Sequence, residues 1–310
     1  MSETSATIIG AAGGIGASVT TELVRQGLFD VLHLVDVRTN VLEADRIDLR
    51  ESAVVAGGVP PRITVHDPHS ARELDRPSDL VICAATLGER PGRSRSSFAA
   101  TNWELLESLA EPIRHAAGES GMVLVITNPI DAMAARLARA VGMRDRIIGY
   151  SLNDSTRLRL AVADELGVTP DRVHAEALGV HGEELVPAFS RVRVDGEPVE
   201  LAPEQRVRVV EAMDGWWERW HALNSGRSST RSTAAGVAAS VTAMRQGRTL
   251  PMSVATDGID YLPDDAFVGY PTSFAGGRAA PDTEVDLAGA ERAELSAAAE
   301  SVRRLADSLG

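Results

Sequence analysis

The first half of the chain alternates short β-branched apolar runs with longer stretches of helical periodicity. Thr7–Ile9, Val31–Val35, Arg62–Val65, Leu80–Cys83 and Met122–Ile126 read as strands. Their apolar residues are nearly continuous, as burial on both faces of a sheet requires. Between them Ala17–Gln26, Leu42–Val55, Phe98–His115 and Ala132–Val141 read as helices. Strands alternating with helices predict the α/β class, a parallel sheet covered on both sides. Past Arg146 the rhythm changes. A helix is expected over Asp154–Leu166, then a hairpin in RVRVDGEPVEL turning at Asp195-Gly196, a dipeptide that suits a tight turn. Helices over Glu204–Leu223 and Thr230–Gln246, strands around Met252–Ala255 and Ala266–Gly269, and a final helix Ala290–Leu309 complete the pattern. Two domains are expected, an α/β one over residues 1–146 and an α+β one over 147–310, without internal repeats or a long linker.

Within this frame, residues 7–18 read TIIGAAGGIGAS. Gly10, Gly13, Gly14, Ile15 and Gly16 lie directly after the first strand and open the first helix. Glycines here permit a tight turn and close backbone approach to a pyrophosphate, which rests on the helix N-terminus. Asp36 ends the second strand, twenty residues past Gly16, where a Rossmann dinucleotide-binding domain sets an acid against the adenosine ribose hydroxyls. Its carboxylate repels a 2′-phosphate, so NAD is favoured over NADP, with Arg38 a small counterweight.

Composition narrows the partners. The net charge is −13 and there is no run of basic residues, which argues against nucleic acid and against an anionic membrane surface. No apolar stretch approaches the length of a membrane span, and the N-terminus carries no export pattern. The single cysteine, Cys83, lies in the apolar run DLVICAA and reads as a buried strand residue in a reducing compartment rather than as a nucleophile. A soluble, cytoplasmic protein is expected. All 31 basic residues are arginine.

Several further strings carry chemistry. GVHGEELVP sets His181 between glycines, NDSTRLR supplies Asp154 and Arg157 on one face of a helix start, and ERPGRSR is an arginine-rich loop. TNPID places Asn128 at the carboxyl edge of the sheet, where ligands bind in open α/β folds. Together with Asn102, LPMS, VGYP and the terminal helix, these strings resemble the malate/lactate dehydrogenase family over essentially the whole chain. The resemblance implies hydride transfer between NAD and a small 2-hydroxy/2-oxo acid. It implies that His181 is the general base and acid, that Asp154 orients it, and that Arg157 grips the substrate carboxylate, a geometry that suits guanidinium. Arg95 would polarise the reacting carbonyl, and Asn128 and Asn102 would bond the nicotinamide end and the substrate. A homodimer or homotetramer is implied, and no metal.

The chain departs from the family at the substrate loop. Malate dehydrogenases usually carry Arg-Lys-Pro-Gly, whose first Arg meets the distal carboxylate, and lactate dehydrogenases carry Gln at that position. Here the stretch is Glu89-Arg90-Pro91-Gly92. Arg231, in STRSTAAGVAAS, aligns near the same pocket, where it would bind an anionic tail or pair with Glu89. Altered tail specificity is therefore expected, the alternative being an ordinary malate dehydrogenase in which Arg231 meets the distal carboxylate. Short-chain dehydrogenases share the glycine pattern but need a Tyr and Lys three residues apart, and this chain has no lysine. A metal-dependent glycosidase would need a Cys–His set that is not seen. A non-catalytic NAD-binding protein would have no use for His181, Asp154, Arg157, Arg95 and Asn128 together.

Overall fold

The computed structural model describes residues 3–70, 74–87, 95–182, 184–226 and 229–309, with side chains at 95–97, 217 and 221 left aside. The first half forms β1 (Ser5–Ile9), α1 (Gly14–Arg25), β2 (Val31–Val35), α2 (Thr39–Val55), β3 (Arg62–His66), β4 (Leu80–Cys83), α3 (Arg95–Ser108), α4 (Ala110–Ala117), β5 (Met122–Val125), α5 (Ile130–Val141) and β6 (Ile147–Gly149). These strands are parallel and run in the order β3-β2-β1-β4-β5-β6. The order reverses between β1 and β4, so a crevice opens at their carboxyl ends. β1, β2, β4 and β5 are buried at every position, which explains their unbroken apolar sequences.

The second half contributes α6 (Leu152–Leu166), β7 (Val173–His174), β8 (Ala177–Gly179), β9 (Leu185–Pro187), β10 (Arg193–Val194), β11 (Glu197–Pro198), α7 (Pro203–Ala222), α8 (Arg231–Arg245), β12 (Leu250–Ala255), β13 (Phe267–Ala275), β14 (Arg278–Pro281) and α9 (Gly289–Ser308). β12 joins β6 in antiparallel sense, and β13, β8 and β9 extend the same sheet. One large core runs beneath it from Ile8 and Leu34 through Met133 to Tyr270 and Leu295. A smaller core, with Leu158, Val162, Val173, Val192, Val209 and Met213, packs α6 and α7 against the three-stranded sheet β11-β10-β7.

Some elements differ from expectation. The helix expected over Phe98–His115 is two, α3 and α4, broken at Leu109. Pro112 lacks the N–H that a continuous helix would direct at Ser108, and it is tolerated only in a first helical turn. β13 runs well past Gly269 and folds back into β14 through Gly276 and Gly277, both at positive φ. Its interior Thr272 and Ser273 hide the strand pattern, although Gly-Gly is a hairpin signal. The three-residue strands β6, β8 and β9 are too short for any periodicity and exist through their sheet partners.

Candidate active site

The turn after β1 is held open by close backbone approach. Gly10 has φ +84°, and a Cβ there would lie 2.6 Å from the Ala85 nitrogen. A Cβ on Gly16 would sit 2.1 Å from the Gly10 carbonyl oxygen. Both positions therefore require glycine. Gly13 caps α1 without a side-chain hydrogen bond, and no acid occupies the first turn. The N–H groups and positive helix end thus face outward without a competing carboxylate, as an anionic pyrophosphate needs. Asp36, largely buried, closes the far side. Its Oδ2 accepts the Ala12 N–H at 3.1 Å, and its Oδ1 accepts the Arg38 N–H at 3.0 Å and Arg38 Nε at 3.4 Å. The residues present fit a dinucleotide.

The loops beyond β4 and β5 are tied together. Asn102 is fully buried on α3. Its Oδ1 accepts Leu87 N–H and Thr86 Oγ1, each at 3.2 Å, and its Nδ2 donates to the Asn128 carbonyl at 2.8 Å. The Asn128 side chain is exposed at the sheet edge. Cys83 lies inside the sheet, its thiol pushed up to about 11 by burial, so it stays protonated and unreactive.

Asp154 is the hub of the second half. It lies fully buried in the first turn of α6. Its Oδ2 accepts His181 Nδ1–H at 2.6 Å and its Oδ1 accepts Arg157 Nη1 at 3.2 Å. Because a carboxylate only accepts, this bond sets the tautomer and leaves His181 Nε2 for proton exchange. His181 sits in the loop between β8 and β9, flanked by Gly179 and Gly182 at positive φ. Burial pulls the imidazole pKa down, but the Asp154 charge and hydrogen bond, helped by Asp131, overcome this and leave it raised.

Asp131, in the first turn of α5, escaped sequence reasoning. Its Oδ2 accepts the His181 main-chain N–H at 2.8 Å. It is 1% exposed, and burial holds its pKa up. An acid early in an apolar helix was the available signal, but it is shared by ordinary helix capping. A second unforeseen link joins α6 to α8. Tyr150 Oη donates to Asn153 Oδ1 at 2.8 Å, and Asn153 Nδ2 donates to Thr233 Oγ1 at 3.1 Å.

The substrate-loop residues fall differently. Glu89 lies outside the described residues, and Arg95 opens α3 with its side chain left aside. Arg231 is exposed at the first position of α8. Its neighbour Thr230 lies by the glycine turn, its Cγ2 3.6 Å from where a Cβ on Gly14 would be. The start of α8 therefore borders the glycine turn. Among the described residues no group of three or more His, Cys, Asp or Glu is arranged for a metal, and no helix is long and apolar enough to cross a membrane.

A braced imidazole, a half-buried guanidinium on the same carboxylate and a glycine turn at a helix N-terminus suit a dinucleotide-dependent oxidoreductase. Residues 4–149 match the NAD-binding domain of lactate/malate dehydrogenase, and residues 152–215 match its alpha/beta C-terminal domain. The chain is 32% identical to a malate dehydrogenase of Thermomicrobium roseum over 97% of each sequence. It is 28% identical to an L-lactate dehydrogenase of Limosilactobacillus reuteri, covering 95% of this chain and 91% of that one. The malate dehydrogenase structure from Salinibacter ruber superimposes with a TM-score of 0.86 at 28% identity, covering 99% and 97% of the two chains. The chain belongs to the lactate/malate dehydrogenase family, the NAD-dependent 2-hydroxy acid dehydrogenases.

Proposed function

We propose that this dehydrogenase acts on a 2-oxo acid whose tail differs from the plain second carboxylate of oxaloacetate, with His181 as its proton carrier. The observation that supports the site most directly is Asp154 bonded at once to His181 and Arg157. NAD supplies the hydride acceptor, and NADH the donor, when bound. Gly10, Gly13, Gly14, Ile15 and Gly16 hold its pyrophosphate, Asp36 its adenosine ribose, and Asn128 its nicotinamide end and the substrate. Arg157 fixes the substrate carboxylate. His181 Nε2 takes the hydroxyl proton during oxidation and returns it during reduction, while Asp154 stabilises the imidazolium. Arg95 supports the charge developing on the reacting oxygen. Asn102 serves the site at one remove, since its amide is spent on Thr86, Leu87 and Asn128.

Tail choice rests on Glu89. Facing a second carboxylate about 4 Å away at an effective dielectric near 20, it would repel by roughly 4 kcal/mol, nearly a thousandfold. A polar or cationic tail that engages Glu89 and Arg231 fits better. The relatives named malate dehydrogenase favour the other reading, in which Arg231 offsets Glu89 and oxaloacetate is accepted. NADH oxidation measured with oxaloacetate, pyruvate and polar-tailed 2-oxo acids decides between them. The expected result is a kcat/KM that is highest for a polar tail and rises for oxaloacetate in Glu89→Arg. A wild-type optimum on oxaloacetate, lowered by Glu89→Arg, overturns the tail assignment.

The protein is further read as a cytoplasmic homodimer or homotetramer. Ile47, Val54 and Val55 on α2 are 62%, 61% and 89% exposed, an apolar stripe that suits contact with a second copy. In this reading residues 1–146 serve the cofactor and 147–310 the substrate, with β6 the strand that joins them.

A further inference from the structure

Arg157 carries a charge into a half-buried place with few partners of its own. Its side chain is 20% exposed, and among the described residues Asp154 is its one hydrogen-bonding partner, at 3.2 Å through Nη1. That carboxylate also serves His181 at 2.6 Å. A single contact at one nitrogen leaves the guanidinium plane free to turn, and a bidentate grip on a ligand carboxylate needs that plane fixed. The second support is aromatic. The guanidinium carbon lies 3.9 Å from the ring centroid of Trp216 on α7, within the range where a cation is attracted to an indole face. Trp216 is itself stacked on Trp220, one helical turn on, with centroids 5.5 Å apart and planes at 14°. Trp216 thus brings α7, whose Met213 belongs to the smaller core, against Arg157.

We propose that Trp216 is a positioning residue for substrate binding: its indole is the shelf that holds the Arg157 guanidinium flat, with the edge not used by Asp154 presented to the substrate's 1-carboxylate. This rests on the reading of Arg157 as the carboxylate grip. Without the shelf the guanidinium rotates toward Asp154 and takes up its second oxygen, competing with both His181 and the substrate. The effect falls on binding of the carboxylate common to every 2-oxo acid, and not on recognition of the tail.

Trp216→Leu and Trp216→Phe test this in the full-length protein. Trp216→Leu is expected to raise KM about tenfold, within the threefold to thirtyfold range of a partly desolvated cation–aromatic contact. The rise should be equal for 2-oxo acids of different tails, with kcat changed less than KM and NADH affinity retained. Trp216→Phe should recover most of the loss. A KM change that depends on the tail, or a fall in kcat without a rise in KM, overturns the proposal. A double-mutant cycle with Arg157→Met in urea unfolding of the protein without ligands needs no turnover. Coupling of about threefold or more in the folding constant is expected, and strict additivity refutes the shelf. Wild-type protein inactive on every 2-oxo acid, with the coupling intact, would instead sink the reading of Arg157 as the carboxylate grip.

Discussion

His181 shows how a residue's surroundings translate into measurable pH behaviour. With His181 as the proposed proton carrier, reduction would need the imidazolium and oxidation the neutral ring. With Asp154 and Asp131 raising the imidazole pKa against burial, kcat/KM for 2-oxo acid reduction should stay level past the ordinary value near 6.5. Above the raised pKa it should fall about tenfold per pH unit, whereas kcat/KM for oxidation should rise up to that pKa and level off above it. Asp154→Asn removes the largest charge holding the proton, so the reductive limb should move to lower pH, with turnover reduced by about a thousandfold or more. A pH–rate profile of the variant superimposable on the wild type would exclude this proton path. Asp131 acts on the main chain of the same residue. Asp131→Asn keeps an acceptor for the His181 N–H, whereas Asp131→Ala leaves a buried donor unpaired at about 1–3 kcal/mol. Urea denaturation should therefore rank wild type and Asn above Ala, and turnover should follow that order.

At the scale of elements, the glycine turn and α8 form one unit. Gly16→Ala would force a Cβ to 2.1 Å from the Gly10 oxygen, whereas one on Gly14 would meet nothing nearer than Thr230 Cγ2 at 3.6 Å. Gly16→Ala should displace the start of α1 and cost on the order of 1–3 kcal/mol, with loss of NADH binding. Gly14→Ala should fold with near-normal stability. Thermal melts and NADH fluorescence titrations of the two variants separate these outcomes, and equal behaviour would contradict the packing described. At the ribose end, Asp36→Ser should narrow the preference for NADH over NADPH, because it removes the charge opposing a 2′-phosphate. Equal wild-type affinity for the two cofactors would remove Asp36 from that role.

For the whole molecule, the sheet that runs from the parallel strands through β6 into β12 and β13 places the two halves of the site on a shared frame. The glycine turn belongs to β1 and α1, and His181 to the loop after β8. Because NADH binds the folded chain alone, it should raise the melting temperature, increasingly so with concentration. The exposed stripe on α2 makes a separate claim. Val55→Asp should shift the protein toward monomer in light scattering, since a carboxylate in an apolar contact has no partner there. An unchanged mass would move the interface elsewhere.

The sequence alone determined the elements with long regular patterns and the residues whose chemistry is local. Five parallel strands, the glycine turn with Asp36, and the placing of Asp154 and Arg157 on one helical face all follow from periodicity or from spacing along the chain. The family motifs added His181 as a partner. Tertiary structure alone decided the contacts between residues far apart in the chain. Asp131 reaches the backbone of His181, Trp216 lies under Arg157, and Asn153 meets Thr233 only because packing brings α5, α6, α7, α8 and the β8–β9 loop together. Three-residue strands such as β8 are likewise decided by their neighbours. An individual Asp or Trp looks the same in sequence whether it caps a helix, fills a core or braces a site, because that role is set by which distant group shares its buried space.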